Sequence, residues 1–315
     1  MPQIVTVTFN PCIDKSTSVP RLLPEKKLKC AYPRMEPGGG GINVARAIKK
    51  LGGEAIAIYP AGGYTGKYFI ELLEKENVSS VIIEAANETR ENIIVYDESS
   101  GQQYRFGMPG NPLSEKEWKE ILQAVEDTSD VKYIVASGSL PPGVPADIFA
   151  RLAIMAKEKN AKFIVDSSGE ALTYAVNAGV YLLKPNLGEL SVLSGKDYLE
   201  EHEIVPAARH LVEKNKCEMI VVSMGKEGAL LVTENTEIKI TSPVVEKKST
   251  VGAGDSMVAG IIFSLSEGND LETAVQFGVA CGAAATMNAR TELCRLEDVK
   301  ELFGIIKEEQ GEKIY

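Results

Sequence analysis

The sequence predicts an α/β protein in which a mostly parallel central sheet is covered by helices on both faces and a small antiparallel β-sheet forms a lid. Two observations set the main architecture. Strand-like runs alternate with helix-period stretches over most of the chain, the pattern of successive βαβ units. Two glycine-rich runs, at 38–41 and 252–254, each open an apolar helical stretch. A third observation sets the lid. Segments 15–34 and 91–106 are rich in Thr, Val, Ile and Tyr and break the alternation, and the second turns at Ser99-Ser100-Gly101.

Taken in order, Ile4-Val5-Thr6-Val7-Thr8 opens as a strand, its β-branched residues suiting a pleated surface. After the first lid segment, 42–51 has helical periodicity, 55–59 reads as a strand and 65–76 as a helix. Beyond the second lid segment, strands at 133–136, 163–166, 181–183 and 219–223 alternate with helices at 145–159 and 205–214. A hairpin pairs 229–232 with 237–240, and helices at 255–266, 271–287 and 296–307 fill the last third. Residues 308–315 read as a loose charged tail. On this reading 1–14, 35–89 and 107–315 form the α/β domain, and 15–34 with 90–106 form the lid. The lid is expected over the carboxyl ends of the strands, where open α/β sheets bind ligands. Ile93 and Val95 on one face and Ile94 and Tyr96 on the other need more cover than one domain supplies. A homodimer through the lids is therefore expected.

Composition excludes several functions. The 315 residues can bury a large core, and no apolar run approaches membrane-spanning length. The first residues pass directly into a strand pattern without the features of a signal peptide. Five scattered cysteines (Cys12, Cys30, Cys217, Cys281, Cys294) contain no Cys-x-x-Cys pair, as for reduced thiols in a cytoplasmic protein. A net charge of −10 disfavours nucleic acid and anionic membranes, so an anionic substrate needs a local basic pocket. The only histidines, His202 and His210, lie in a polar helical stretch away from every motif.

The motif with the most chemical content is Thr250-Val251-Gly252-Ala253-Gly254-Asp255. The first amides of a helix have no internal partners and, with the helix dipole, attract anions. Gly252 and Gly254 let a phosphate approach this backbone, and Asp255 places a carboxylate at its mouth. A base beside an anion cradle is what phosphoryl transfer to a hydroxyl requires, although the same tetrapeptide also suits a tight turn with a capping aspartate. Gly38, Gly39, Gly40 and Gly41 offer bare backbone to a polyol, with Asn43 projecting one donor and one acceptor. Gly62 to Lys67 resembles a phosphate-binding loop but has Ala61 and Tyr68 where Gly and Ser/Thr belong, and neither glycine run completes a dinucleotide fingerprint. Asn186 and Glu189, after the strand ending near Lys184, suit either Mg²⁺ and its waters or a capping box. Asp14 suits sugar hydroxyls or an Asx turn. Arg90, Arg105 and Lys27 in or beside the lid can converge as a phosphate clamp.

The pairing of Gly39-Gly40-x-Ile42-Asn43-x-Ala45 with Gly252-Ala253-Gly254-Asp255, and Asn186-x-x-Glu189 between them, resembles the ribokinase-like, phosphofructokinase B family of carbohydrate kinases. Thr8-Phe9-Asn10-Pro11-Cys12-Ile13-Asp14, Tyr104-Arg105-Phe106, the run from Ser137 to Gly143 and Asp166-Ser167-Ser168-Gly169-Glu170 are most similar to its bacterial minor-type 6-phosphofructokinase branch. The resemblance covers nearly the whole chain. It implies ATP-dependent phosphorylation of the C1 hydroxyl of fructose 6-phosphate, with tagatose 6-phosphate and fructose 1-phosphate kinases as alternatives within the family. It also implies Asp255 as general base and the amides of Gly252, Ala253 and Gly254 as the anion hole. Sugar binding then falls to Asp14, the backbone of Gly38, Gly39, Gly40 and Gly41, Asn43 and Ser139. The sugar's phosphate falls to Arg90, Asn92, Arg105 and Lys27, the last able to reach from a partner subunit. Lys184, Asn186, Ser223, Gly225 and Gly228 line the implied ATP site, with Mg²⁺ near Glu189. A potassium ion is implied beside Ser249, Val251, Ala285 and Asn288. Here the sequence departs from the family pattern, with Arg290 in place of glycine and Glu292 in place of a basic residue. A non-catalytic sugar-phosphate sensor on the same fold would be expected to have lost Asp255 or its glycines.

Overall fold

Nine strands run side by side in the main sheet of the computed structural model, which describes residues 3–214, 216–288 and 292–311. In chain order the elements are β1 (Ile4–Val7), β2 (Cys12–Val19), β3 (Arg34–Gly38), α1 (Gly40–Lys50), β4 (Ile56–Ala61), α2 (Gly63–Lys75), β5 (Ser79–Glu84), β6 (Arg90–Asp97) and β7 (Gln102–Phe106). There follow α3 (Glu115–Asp127), β8 (Tyr133–Ser137), α4 (Ile148–Glu158), β9 (Lys162–Asp166), α5 (Gly169–Ala178), β10 (Val180–Leu183), α6 (Leu187–Leu193), α7 (Glu201–Glu213) and β11 (Cys217–Ser223). The hairpin β12 (Ala229–Thr233) and β13 (Glu237–Ile240) precedes α8 (Ala253–Ser266), α9 (Leu271–Met287) and α10 (Leu296–Gly311).

The main sheet has the order β13-β12-β11-β10-β9-β8-β1-β4-β5, parallel from β11 through β5 and antiparallel at the closing hairpin. Strand order reverses beside β1, so the loops after β1 and β8 open a crevice at the carboxyl edge. Its strands are buried on both faces, which is why they read as near-continuous apolar runs. One core joins α1, α2, α8, α9 and α10 to one face through Ile42, Phe69, Val258, Val279 and Val299. The other joins α3, α4, α5, α6 and α7 through Trp118, Ile148, Leu172, Leu190 and Leu211.

The α8–α9 contact positions the second glycine motif. A side chain at Gly260 would overlap Cys281 and reach 3.0 Å from Gly278 Cα, so the two apolar helices approach through small residues. The segments expected to form the lid lie in a second, four-stranded sheet, β3-β2-β6-β7. Its outer pairings are antiparallel as expected, but β2 and β6 are parallel, from Cys12 opposite Arg90 to Val19 opposite Asp97, so the small sheet is mixed. Segment 15–34 is only half strand, since 20–33 forms an irregular connection between β2 and β3. Strand β5 and helices α3 and α5 add to the elements predicted from sequence. Helix α10 continues through Gly311, so residues 308–311 are helical and not a loose tail; 312–315 lie outside the described residues. All five cysteines are free, and among the described residues no helix is long and apolar enough to cross a membrane.

Candidate active site

Helix α8 starts with Gly252 in the left-handed region (φ 73°), a conformation that would strain a side-chain-bearing residue. No side chain caps this end, and the first helical bond is donated by Ser256 N to Gly252 O (2.8 Å). The N–H groups of Ala253, Gly254 and Asp255 therefore precede the intrahelical ladder, at the end where the amides of Gly252, Ala253 and Gly254 are expected to form an anion hole. A Cβ at Gly254 would stand 3.6 Å from Lys184 Nζ, so this ammonium faces the same mouth.

Asp255 lies in the first turn of α8 and Asn43 in the first turn of α1, two helices packed on the same face of the sheet. Asn43 Nδ2 donates to Asp255 Oδ2 at 2.9 Å. Burial pushes the Asp255 carboxyl up to about 7, and the Asp166 carboxylate adds to that shift. The Asn43 hydrogen bond and the Lys184 charge oppose it, and Asp14 adds to it again. The result is a carboxylate whose proton affinity suits a general base near neutral pH.

The four glycines before Asn43 are required by close approach. A Cβ on Gly38 would overlap the Asp14 carboxylate; on Gly40, it would overlap Ser137 Oγ and lie 2.7 Å from Gly138 N; on Gly41, it would lie 2.8 Å from Val7 O. Gly39 adopts φ 115° as the N-cap of α1. The loops after β1 and β8 thus pack directly against this turn.

Asp14, 7% exposed, accepts at Oδ1 from Asn92 Nδ2 (2.9 Å) and Cys12 Sγ (3.3 Å). Arg90 donates to Asn92 Oδ1 (3.2 Å), Met108 O (2.9 Å) and Asn10 O (3.1 Å), while Asn10 Nδ2 donates to Ser139 Oγ (3.0 Å). One polar chain therefore links Asp14, Asn92, Arg90 and Ser139. Arg105 Nη2 donates to Thr250 Oγ1 (2.7 Å), bringing β7 onto the segment just before Gly252. Burial lowers the Arg105 pKa, with Asp14 acting against it. Lys27 is exposed in the β2–β3 connection.

The residues expected on the nucleotide side gather at the carboxyl ends of β10 and β11. Lys184, 5% exposed, pairs with Asp166 Oδ1 at 3.2 Å. Burial opposes its charge, but Asp166, Glu189 and Asp255 outweigh that and hold the ammonium above its ordinary value. Asn186 and Glu189 form the capping box of α6, each side chain accepting from the other's backbone N–H at 2.9 Å. Burial raises the Glu189 carboxyl, the cap bond lowers it, and Asp166 raises it again. Among the described residues no group of three or more acidic, His or Cys side chains could hold a metal alone. Two carboxylates, Asp166 and Glu189, with Asn186 fit Mg²⁺ that keeps waters and phosphate oxygens as its other ligands. Ser223 N donates to Pro185 O (2.9 Å), and Gly225 (φ 60°) and Gly228 (φ 94°) close the tight turn into β12.

The residues named for potassium also meet. Lys248 N and Ser249 N both donate to Thr286 O (2.8 and 3.2 Å), tying the segment of Ser249 and Val251 to the end of α9, where Ala285 and Asn288 lie. Asn288 Nδ2 donates to Ala284 O (3.2 Å) and Leu293 O (3.1 Å), so its amide nitrogen is committed to the backbone and its oxygens are the groups able to face a cation. Glu292 pairs with Arg295 (2.8 Å); Arg290 lies outside the described residues.

Asp166, Asn10 and Thr250 were not among the site residues read from sequence as individual side chains. Asp166 carries one usable signal, an acidic residue ending a buried strand. Asn10 and Thr250 carry none apart from the motifs around them.

Known proteins resemble this chain over nearly its whole length. The family model described as "pfkB family carbohydrate kinase" matches residues 7–298. The chain is 45% identical to ATP-dependent 6-phosphofructokinase isozyme 2 of Escherichia coli over 97% of this chain and 99% of that protein. It is 40% identical to the isozyme 2 enzyme of Mycobacterium tuberculosis over 98% and 91%, respectively. A crystal structure of phosphofructokinase-2 from Escherichia coli in complex with potassium superposes with a TM-score of 0.93 at 45% identity, covering 98% of this chain and 100% of that one.

Proposed function

The chain belongs to the pfkB family of carbohydrate kinases, and on that premise we propose that it transfers the γ-phosphoryl group of ATP to the C1 hydroxyl of fructose 6-phosphate, giving fructose 1,6-bisphosphate and ADP. The observation that carries the reading is the Asp255 carboxylate, raised to about 7 and oriented by Asn43, at the open mouth of α8 beside Lys184.

Asp14, Asn92, Asn43, Ser139 and the backbone of 38–41 hold the sugar, and Arg90 and Arg105 hold its phosphate. Asp255 takes the proton as the hydroxyl oxygen bonds to phosphorus and the bond to ADP breaks. The amides of Ala253 and Gly254, the Gly252 turn and Lys184 stabilise the charge on the transferred group, the term that dominates phosphoryl transfer. Asn186, Ser223, Gly225 and Gly228 line the nucleotide side. Asp166 and Glu189 would hold Mg²⁺ largely through water, the metal supplying charge neutralisation at the phosphates. Backbone at Ser249, Val251, Ala285 and Asn288 would hold potassium; the potassium complex of the Escherichia coli protein supports this.

The reading includes the two-domain division, with residues 15–34 and 90–106 as the lid. The lid leaves Ile93, Tyr96, Tyr104 and Phe106 at 37–46% exposure, which supports a homodimer through these faces, with Lys27 reaching the partner's site. Five free thiols and a net charge of −10 support a cytoplasmic enzyme working on small molecules and not on nucleic acid. Initial rates with Mg-ATP and fructose 6-phosphate, tagatose 6-phosphate or fructose 1-phosphate test the reading. The highest kcat/KM is expected with fructose 6-phosphate. Tight sugar-phosphate binding with no ADP release would make the protein a sensor and overturn it.

A further inference from the structure

Among the described residues Arg46 is the largest fully buried side chain, at 2% exposure, and lies one turn beyond Asn43 on α1. A guanidinium is an all-donor group that stays charged, so each bond it makes fixes an acceptor in place. Nε and Nη2 donate to Glu76 Oε2 and Oε1 at 2.8 and 2.6 Å, a bidentate pair at the end of α2. Nη1 donates to Pro37 O (2.7 Å) in β3, with Glu36 Oε1 4.0 Å from Nη2. The same Nη1 donates to Asn43 Oδ1 at 3.2 Å.

This last contact has a consequence for catalysis. A side-chain amide can turn either end to a neighbour, and only its NH₂ end stabilises a carboxylate. Because Arg46 offers donors alone, the Asn43 atom facing it must be the oxygen, which leaves Nδ2 for Asp255. With Arg46 gone, the amide is free to rotate and set Oδ1 against the Asp255 carboxylate. We propose that Arg46 is a positioning residue that fixes the amide of Asn43 so that the general base keeps its hydrogen-bond donor. The proposal deepens the kinase reading and rests on Asp255 as the base.

The other groups facing Asp255 are Asp166 at the end of β9, Lys184 after β10, and Asp14 and Cys12 on β2; Glu36 and Glu76 face Arg46. None of these touches the Asn43 amide in the way Arg46 does. Losing a donor to the charged form raises a carboxyl pKa, so the acid limb of activity must move upward.

The test uses the full-length enzyme. Arg46→Met alone leaves Glu76 without its cation and can destabilise the fold, so Arg46→Met/Glu76→Gln is measured alongside it, with folding followed by circular dichroism. In the folded variants kcat is expected to fall roughly tenfold, and the acid limb of kcat/KM to rise by about half to one pH unit. Arg46→Lys should not restore it, because one ammonium cannot serve Glu76, Pro37 and Asn43 together. In an Asn43→Ala background the Arg46 changes should move the limb no further. A folded double variant whose acid limb stays at the wild-type pH overturns the proposal, as does rescue by lysine. Asp255→Asn measured in parallel separates the two ideas: retained turnover there removes the base itself, whereas lost turnover with an unmoved limb removes only the role of Arg46.

Discussion

Helices α2 and α8 both begin at glycines without a capping side chain of their own, yet one end is closed and the other open. At α2 the run from Gly62 to Lys67 is the closer of the two to a phosphate-binding loop, but Glu88 fills it. The Glu88 carboxylate accepts from Tyr64 N (3.1 Å), Thr65 N (3.0 Å) and the Thr65 hydroxyl, and these bonds lower its pKa. At α8 no carboxylate from elsewhere among the described residues claims the first amides; Lys184 faces them and Asp255 stands at their edge. A glycine-led helix start becomes an anion site only when its N–H groups remain unclaimed, and which case holds depends on residues distant in sequence.

The largest expected effect comes from removing the base at the open end. Asp255→Asn should lower kcat by roughly 10²–10⁴, with the sugar KM little changed; near-wild-type turnover would put proton transfer elsewhere. The same change should stabilise the fold. A carboxyl raised in the native state to about 7 favours the protein while protonated and loses that advantage as pH climbs from its ordinary range through 7. The Asn variant escapes this loss, so at pH 8 its unfolding midpoint should rise by roughly 2–6 °C. A midpoint that falls would mean the Asp255 charge is well solvated in the cleft. The smallest effect belongs to the closed end: Glu88→Ala uncaps α2 and should lower the unfolding midpoint slightly while leaving kcat and both KM values unchanged. If turnover fell tenfold, α2 would belong to the active site and the contrast would fail.

The legible part of this molecule is local. The alternation of strands and helices follows from side-chain periodicity, and the Asp255–Asn43 meeting is foreshadowed by two glycine-led helix starts at the carboxyl edge of one sheet. Asn186 and Glu189 are legible in both senses, as a capping box and as oxygen donors, because the two uses need the same spacing. What escaped the sequence is long-range pairing. Arg46 reads as one more polar helix residue until Glu76, Pro37 and Asn43 close around it. Glu88 is an ordinary loop acid until it reaches α2, and Asp166 gains its meaning from Lys184. The parallel β2–β6 pair likewise depends on a crossover through α1 and α2 that strand propensity does not report.

On the proposed mechanism Asp255 accepts the substrate proton with an affinity set by burial among Asp166, Asn43 and Lys184. The most direct measurement is the pH dependence of kcat/KM for fructose 6-phosphate at saturating Mg-ATP. With Asp255 as the base, the rate should fall about tenfold per pH unit on the acid side, with its midpoint near 7. A profile that stays flat down to pH 5, where an ordinary carboxylate would still be ionised, would contradict it.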